Sequence, residues 1–333
     1  MRTVFPACLL VVVLLSALFS PPLRAQSQDP LVFGLIATAS PQTVLAQWEP
    51  LLADLARSLG RPVRPQVFAD YAGVVWAMAA GHIDMAWLGN KSAIEAVDRA
   101  GGEVALQALG NDGQAAYHSV LLARVGSGLG TVEDMFARAS ELAYGDGDVN
   151  STSGHVIPDF YLFSRRGLEP RAIFRRVAQN NHEDNFLAVA DGRLDVATGN
   201  TVNLARSTAL HPEAASRVAV IWTSPPIPGD PLVWRAALDA RTKAAVRDFF
   251  IGYGRAAPGK AQDALAREQA VLAAMERGGF KASDNGQLRE VRRIELHQRR
   301  DRLLSDLGLP QEERLRRLED IDAAMHALGG DAP

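Results

Sequence analysis

Three hydroxyl side chains in a row, Ser151, Thr152 and Ser153, follow the loop Gly145-Asp-Gly-Asp-Val-Asn150 and precede Gly154. Small residues leading into an apolar-periodic run mark a helix start, here continuing through Phe160 to Phe163. A helix start carries unpaired backbone N–H groups and the positive end of the macrodipole, so an anion can be held there without a lysine. The three hydroxyls would add donors to those amides. Plain N-capping by one of them is the alternative. The loop is not a Walker loop, because the lysine of Gly-Lys-Ser/Thr is missing. Pro158 falls near the second turn, where it forfeits a backbone hydrogen bond or bends the helix.

His182, in Asn180-Asn-His-Glu-Asp-Asn185, precedes a second helical segment. Beside a bound oxyanion a histidine can donate a hydrogen bond and shift toward its charged form, giving pH-dependent affinity. A surface loop histidine is the alternative. Phe186 stands where a zinc motif would place its second histidine, so no metal is proposed. Tyr71, in Asp70-Tyr-Ala-Gly73, and Tyr117 suit a cleft wall, since the ring buries area while the hydroxyl still reaches a ligand. Either could instead be core. Pro225-Pro-Ile-Pro-Gly-Asp230-Pro is stiff and turn-rich, as a segment returning between lobes should be. Asp230 could meet a ligand cation or close an Asx-turn, and the sequence alone favours the turn.

These residues need elements to position them. Strand-like segments at 31–36, 63–68, 83–87, 104–109, 119–123, 141–144, 195–198 and 218–222 alternate with helical ones around 42–58, 71–80, 91–100, 131–139, 154–166 and 183–191. Such alternation means α/β layers, whose ligands sit outside the carboxyl ends of the strands. One ten-residue pattern occurs twice, as Ala77-Met-Ala-Ala-Gly81-His-Ile-Asp84-Met-Ala86 and as Ala188-Val-Ala-Asp-Gly192-Arg-Leu-Asp195-Val-Ala197. Each copy reads as a helix, a glycine at the left-handed C-cap position and a strand. Asn90 and Asn200 follow those strands, each behind a glycine. Two related lobes facing one another would enclose a cleft.

Arg2, the apolar run Val4 to Phe19, Pro21-Pro22 and Ala25 make a secretory signal peptide over residues 1–25, cleaved near Ala25. Cys8, the only cysteine, lies inside it, so the exported chain carries no thiol, disulfide or cysteine nucleophile. A formal net charge of −3 argues against nucleic acid as a partner. No second apolar run approaches bilayer-spanning length. From Gln287 the chain becomes charge-dense, and Leu309-Pro310 mark the turn of a helical hairpin. Leu318, Ile321, Met325 and Leu328 fall near a/d spacing. Packing back on the body is expected, with homodimer formation through these helices as the alternative.

Together, Asp70-Tyr-Ala-Gly73, Asp84-Met-Ala-Trp-Leu-Gly-Asn90, Ala96-Val-Asp-Arg99, Gly145 to Gly154, His182-Glu183, Asp195-Val-Ala-Thr198 and Ile227-Pro-Gly-Asp-Pro231 resemble the periplasmic substrate-binding proteins of phosphonate ABC transporters. The resemblance covers nearly all of the chain after the leader. It implies an α/β, two-lobed periplasmic-binding-protein (type II) fold with the helical hairpin at its C-terminus. Lobe 1 would comprise 26–116 and 223–285, lobe 2 117–222, and the extension 286–333, with hinge strands near Tyr117 and Trp222. It further implies that Ser151, Thr152 and Ser153 hold the phosphonate oxygens, that Tyr117 and His182 complete the anion site, and that Tyr71 and Asp230 face the organic end. No cofactor and no chemistry on the ligand are expected, and the partner would be an ABC permease in the inner membrane.

Two departures bear on specificity. Relatives that take aminoalkyl phosphonates tend to carry glutamate where Val202 aligns and tyrosine where Leu88 aligns. The ligand is then expected to depend less on an amine, unless Asp230 alone serves it. Another tetrahedral oxyanion, such as phosphite, phosphate or a phosphate ester, is the first rival reading. A hydrolase with Ser151 or Ser153 as nucleophile and His182 as base is a remote one, because no Gly-x-Ser-x-Gly elbow surrounds these serines. A receptor module that reports ligand to a membrane sensor would use the same binding chemistry.

Overall fold

The computed structural model describes residues 29–306 and 308–329, so the leader expectation, Cys8 included, lies outside the described residues. Leu31-Val-Phe-Gly-Leu-Ile36 has no polar side chain to place on a solvated face, and it forms a strand buried along its whole length, β1 (Leu31–Ile36). Around it β2 (Val63–Phe68) and β3 (Met85–Trp87) run parallel. With β4 (Gly102–Leu109), β12 (Pro231–Arg235) and β13 (Gly279–Ala282) they make a six-stranded sheet in the order β13-β4-β12-β3-β1-β2. The second sheet has the order β10-β6-β9-β7-β8, from β6 (Ser119–Arg124), β7 (Ala143–Asp146), β8 (Arg176–Gln179), β9 (Val196–Asn200) and β10 (Val218–Thr223). Helices cover both sheets, as the alternation predicts.

The chain passes between the sheets at two short strands, β5 (Ala116–Tyr117) and β11 (Ile227–Pro228), which pair antiparallel with Tyr117 opposite Ile227. Trp222 lies within the second sheet, opposite Leu121. Gly229 leaves β11 so close to β4 that a Cβ there would collide with the Ala108 carbonyl oxygen. Gly229→Ala is expected to lower stability by roughly 1–3 kcal/mol, the usual cost of overpacking, and thermal unfolding would show it as a lower Tm.

Both copies of the repeated pattern form the predicted unit. Helices Tyr71–Ala79 and His182–Ala190 end at Gly81 and Gly192, whose φ values of +75° and +72° only glycine adopts without strain. The aspartate of each copy caps a neighbouring strand. Asp84 accepts from Val32 N–H (2.9 Å) and from Arg235 Nη2 (2.6 Å), and Asp195 accepts from Ala143 N–H (2.7 Å).

Elements absent from the sequence reading include β8, β12, β13 and the helices Thr201–Leu210, Ala240–Gly252 and Gln262–Ala274. β12 is a central strand that begins with proline, the one strand position where a missing N–H costs little, and its proline-rich approach masks it. The helix after Ser151 is wound as two wide π-type turns, Thr152–Val156 and Asp159–Phe163, separated at Ile157-Pro158. Pro158 cannot donate to the ladder, and such turns recur at functional sites.

The C-terminal helices Arg289–Ser305 and Gln311–Ala327 form the expected hairpin, in which the first packs on the body and the second packs on the first rather than on the body itself. The first reaches both lobes. Arg292 pairs with Asp98 (2.7 and 2.5 Å) and Glu295 with Lys91 (2.5 Å), while Gln298 Nε2 donates to Asp159 Oδ2 (2.6 Å) and Val156 O (3.3 Å). The second helix turns Leu318, Ile321, Met325 and Leu328 away from solvent, and Arg300 ties the two helices through Asp322 (3.1 Å). Among the described residues no helix is long and apolar enough to cross a membrane.

Candidate functional site: a hydroxyl-lined cavity between the lobes

Loops at the carboxyl ends of β1, β3, β7 and β9 converge where the two sheets face each other. There a small cavity of about 20 Å³ is lined by Thr38, Tyr71, Tyr117, Asn200 and Asn203, with Ser151, Thr152, Ser153, His182 and Asp230. A wider hollow of about 360 Å³ opens outside it and shares Tyr71, Ser151 and His182. All seven residues singled out for ligand contact from the sequence therefore line one small space between the lobes. Leu88 and Val202 do not line it: Leu88 is fully buried in the core, and Val202 packs against that core from its helix start.

Each of the three consecutive hydroxyls accepts a hydrogen bond from the protein. Ser151 Oγ accepts from Gly154 N–H (3.1 Å), Thr152 Oγ1 from Lys91 N–H (2.8 Å), and Ser153 Oγ from Asn200 Nδ2 (3.0 Å). A hydroxyl fixed as acceptor still has its own proton to donate. The helix start and the hydroxyls thus make a preorganised donor set, and capping and anion binding coexist at Ser151. Tyr71 bonds to Ser151, and Tyr117 to both Ser153 and Asp230; burial pushes both phenols well above the ordinary tyrosine range, so they stay protonated donors.

His182 is buried at the first turn of its helix, where Asn200 Nδ2 meets its Nε2 at 3.2 Å. Burial, then the Arg206 charge, push its pKa down to about 4. This reverses the expected shift toward the charged form: the imidazole is neutral, with Nε2 as the acceptor. Since an unfolded histidine titrates near 6.5, the unfolded chain binds the extra proton between about pH 4 and 6.5, and stability is lost as pH falls through that window. His182→Gln should lose less stability than the parent between pH 7.5 and 5 in denaturant titrations. Equal losses would contradict the assignment.

Asp230 does not close an Asx-turn. Its Oδ2 accepts from Trp87 Nε1 (3.1 Å) and from Arg277 Nη2 (3.3 Å). Sequence reasoning missed Thr38 and four further polar residues here. Asn200 caps the helix Thr201–Leu210, bonds Asn203, and holds Ser153 and His182. Arg206, buried on the same helix, reaches Asn203 Oδ1 and, across the cleft, Thr38 Oγ1 (3.3 Å). Arg277 is buried behind Asp230. The glycine before Asn200 was the only sequence signal; a lone arginine in an alanine-rich helix carries none.

Further bonds cross the cleft: Lys91 N–H to Thr152, Tyr71 N–H to Asp148 Oδ2 (3.4 Å), Ser40 N–H to Glu183 Oε2 (3.3 Å) and Glu183 N–H to Thr38 O (3.3 Å). The lobes are closed on one another. His182 has no carboxylate among its hydrogen-bond partners and no bond to a serine hydroxyl, so the described contacts contain no Ser-His-acid relay.

The model of the family described as "ABC transporter, phosphonate, periplasmic substrate-binding protein" matches residues 33–288. The "Phosphonates-binding periplasmic protein" of Escherichia coli (strain K12) is 38% identical over 314 residues, covering 94% of this chain and 90% of that one. A solved binding-protein component of an ABC phosphonate transporter from Pseudomonas aeruginosa is 40% identical, with a TM-score of 0.83 over 90% of this chain and 97% of that one. A Prochlorococcus marinus (MIT 9301) protein solved with methylphosphonate shares the fold, with a TM-score of 0.68 at 18% identity over 80% of this chain and 97% of that one. A closed two-lobed α/β body, a hydroxyl-lined interlobe cavity and these matches agree, and the chain belongs to the periplasmic substrate-binding proteins of phosphonate ABC transporters, a family of binding proteins rather than enzymes.

Proposed function

We propose that this protein captures a phosphonate in the interlobe cavity and delivers it intact to an ABC permease in the inner membrane. The observation that carries the reading is the donor set at residues 151–153, in which every hydroxyl accepts from a protein N–H, so that its proton can turn to an oxyanion, those of Ser151 and Ser153 in exchange for the neighbouring phenols of Tyr71 and Tyr117. Ser151, Thr152 and Ser153 hold the phosphonate oxygens. Tyr117 and His182 complete the anion site, and Tyr71 and Asp230 face the organic end. The names of the relatives support the ligand class, and the methylphosphonate complex of the more distant protein is consistent with it.

Capture works by closure. Residues 26–116 and 223–285 act as one lobe and 117–222 as the other, turning about β5 and β11, while 286–333 follows the closing body. Ligand drives closure only through contacts absent from the open state. A phosphonate on Ser151 to Ser153 that also meets Tyr71 and Asp230 supplies that difference. The leader of residues 1–25 is removed near Ala25 on export. Exposed Leu304 and Leu315 on the C-terminal helices support self-association as a second use of the hairpin.

Calorimetric titration of the exported chain, stripped of ligand, against methylphosphonate, phosphite and phosphate tests this. Methylphosphonate binding near or below about micromolar, about 8 kcal/mol, is expected. Silence toward methylphosphonate with tight phosphite or phosphate binding would move the function to the other oxyanions.

A further inference from the structure

We infer, on the basis of the phosphonate reading, that Arg277 is a specificity-determining residue that commits this site to phosphonates without an amine. Asp230 is the only carboxylate among the residues lining the cavity, so it is the one wall group there with which a ligand ammonium could form an ion pair. That carboxylate already has a cation partner. Its Oδ2 accepts from Arg277 Nη2 and Trp87 Nε1, and the Tyr117 hydroxyl bonds to it as well. The guanidinium is held in place, since it is buried and stacks over the Trp87 ring at 5.4 Å. A planar, always-charged fork lying between a carboxylate and an indole face is not easily displaced by a ligand.

An ammonium entering beside Asp230 would share one carboxylate with a second cation in a small space, where like charges repel strongly. Arg206, buried on the other lobe, adds to the same side of the balance. Arg206 also feels Glu183 and Glu276, so the excess of positive charge is local to Asp230, where Arg277 faces it, and it suits a doubly charged head with an uncharged tail. The small cavity favours a compact one. Val202 agrees, because it offers an apolar side chain and no second acid.

The test uses a pair of equal size, ethylphosphonate and aminomethylphosphonate, titrated calorimetrically into the exported chain with methylphosphonate as reference. The parent should bind ethylphosphonate at least about tenfold tighter than the amino compound. Arg277→Met frees Asp230 and should shift that ratio toward the amine by about tenfold or more; Asp230→Asn leaves Arg277 unopposed and should shift it the other way. The opposite signs keep the test decisive even if Arg277→Met fails to fold. Tight methylphosphonate binding together with a preference for the amino compound, or a ratio unchanged in a folded Arg277→Met, would overturn the inference and leave the proposed function standing. Silence of the parent toward all three phosphonates would overturn both.

Discussion

The Ser151→Ala, Thr152→Ala double variant is expected to bind methylphosphonate roughly 10²–10⁴-fold more weakly than the parent, because each hydrogen bond to a charged group contributes about 1.5–3 kcal/mol. Neither hydroxyl can be spared by a neighbour. Ser151 Oγ and Thr152 Oγ1 accept from Gly154 N–H and Lys91 N–H, so their protons are the groups that can turn to the ligand, that of Ser151 in exchange for Tyr71. The Lys91 bond also crosses the cleft, and losing it weakens the closed state itself. Ser151→Ala removes a cap, at about 0.5–2 kcal/mol of stability, so the variant's melting curve belongs beside its titration. Affinity within about threefold of the parent, well under 1 kcal/mol, would place the anion elsewhere.

Arg206→Met should carry the next largest loss. Acting on the ligand at second hand, its charge is expected to contribute about 1–3 kcal/mol, or roughly 5- to 150-fold in affinity. Burial, then Arg277, push the guanidinium pKa down to about 10, which still leaves it charged at neutral pH. It acts from behind the cavity wall, through Asn203 and Thr38, rather than as a direct phosphonate ligand. Arg206→Lys keeps the charge without the fork and should recover part of the loss. Because the guanidinium is buried, added salt should screen little of the effect. Binding by Arg206→Met equal to the parent's would show that the head group is neutralised by the hydroxyls and amides alone.

What was legible in the sequence follows physical lines. The two ten-residue repeats were readable because helix period, a left-handed glycine and strand alternation occur together in each, and Asp84 and Asp195 take matching roles in the structure. The hydroxyl run was readable because helix starts are local. β12 was hidden by its proline-rich approach, and its central place comes from pairing with two strands distant in the chain. The direction of the His182 shift depends on burial, which only the closed cleft creates. Arg206 and Arg277 were invisible for the same reason: nothing beside them in the chain distinguishes a buried cation from a solvated one. Asp230 could be placed near a ligand by resemblance, yet its partner lies 47 residues away in sequence.

The central claim, that a phosphonate sits on the 151–153 helix start between closed lobes, is tested most directly by a crystal structure of the exported chain with methylphosphonate. The account predicts phosphonate oxygens within hydrogen-bond distance of the Ser151, Thr152 and Ser153 hydroxyls and near His182, with the Asp230–Arg277 pair intact beside the methyl group. Methylphosphonate found only in the outer hollow among Asp70, Gln179 and Asp184, with the inner cavity filled by water, would contradict it.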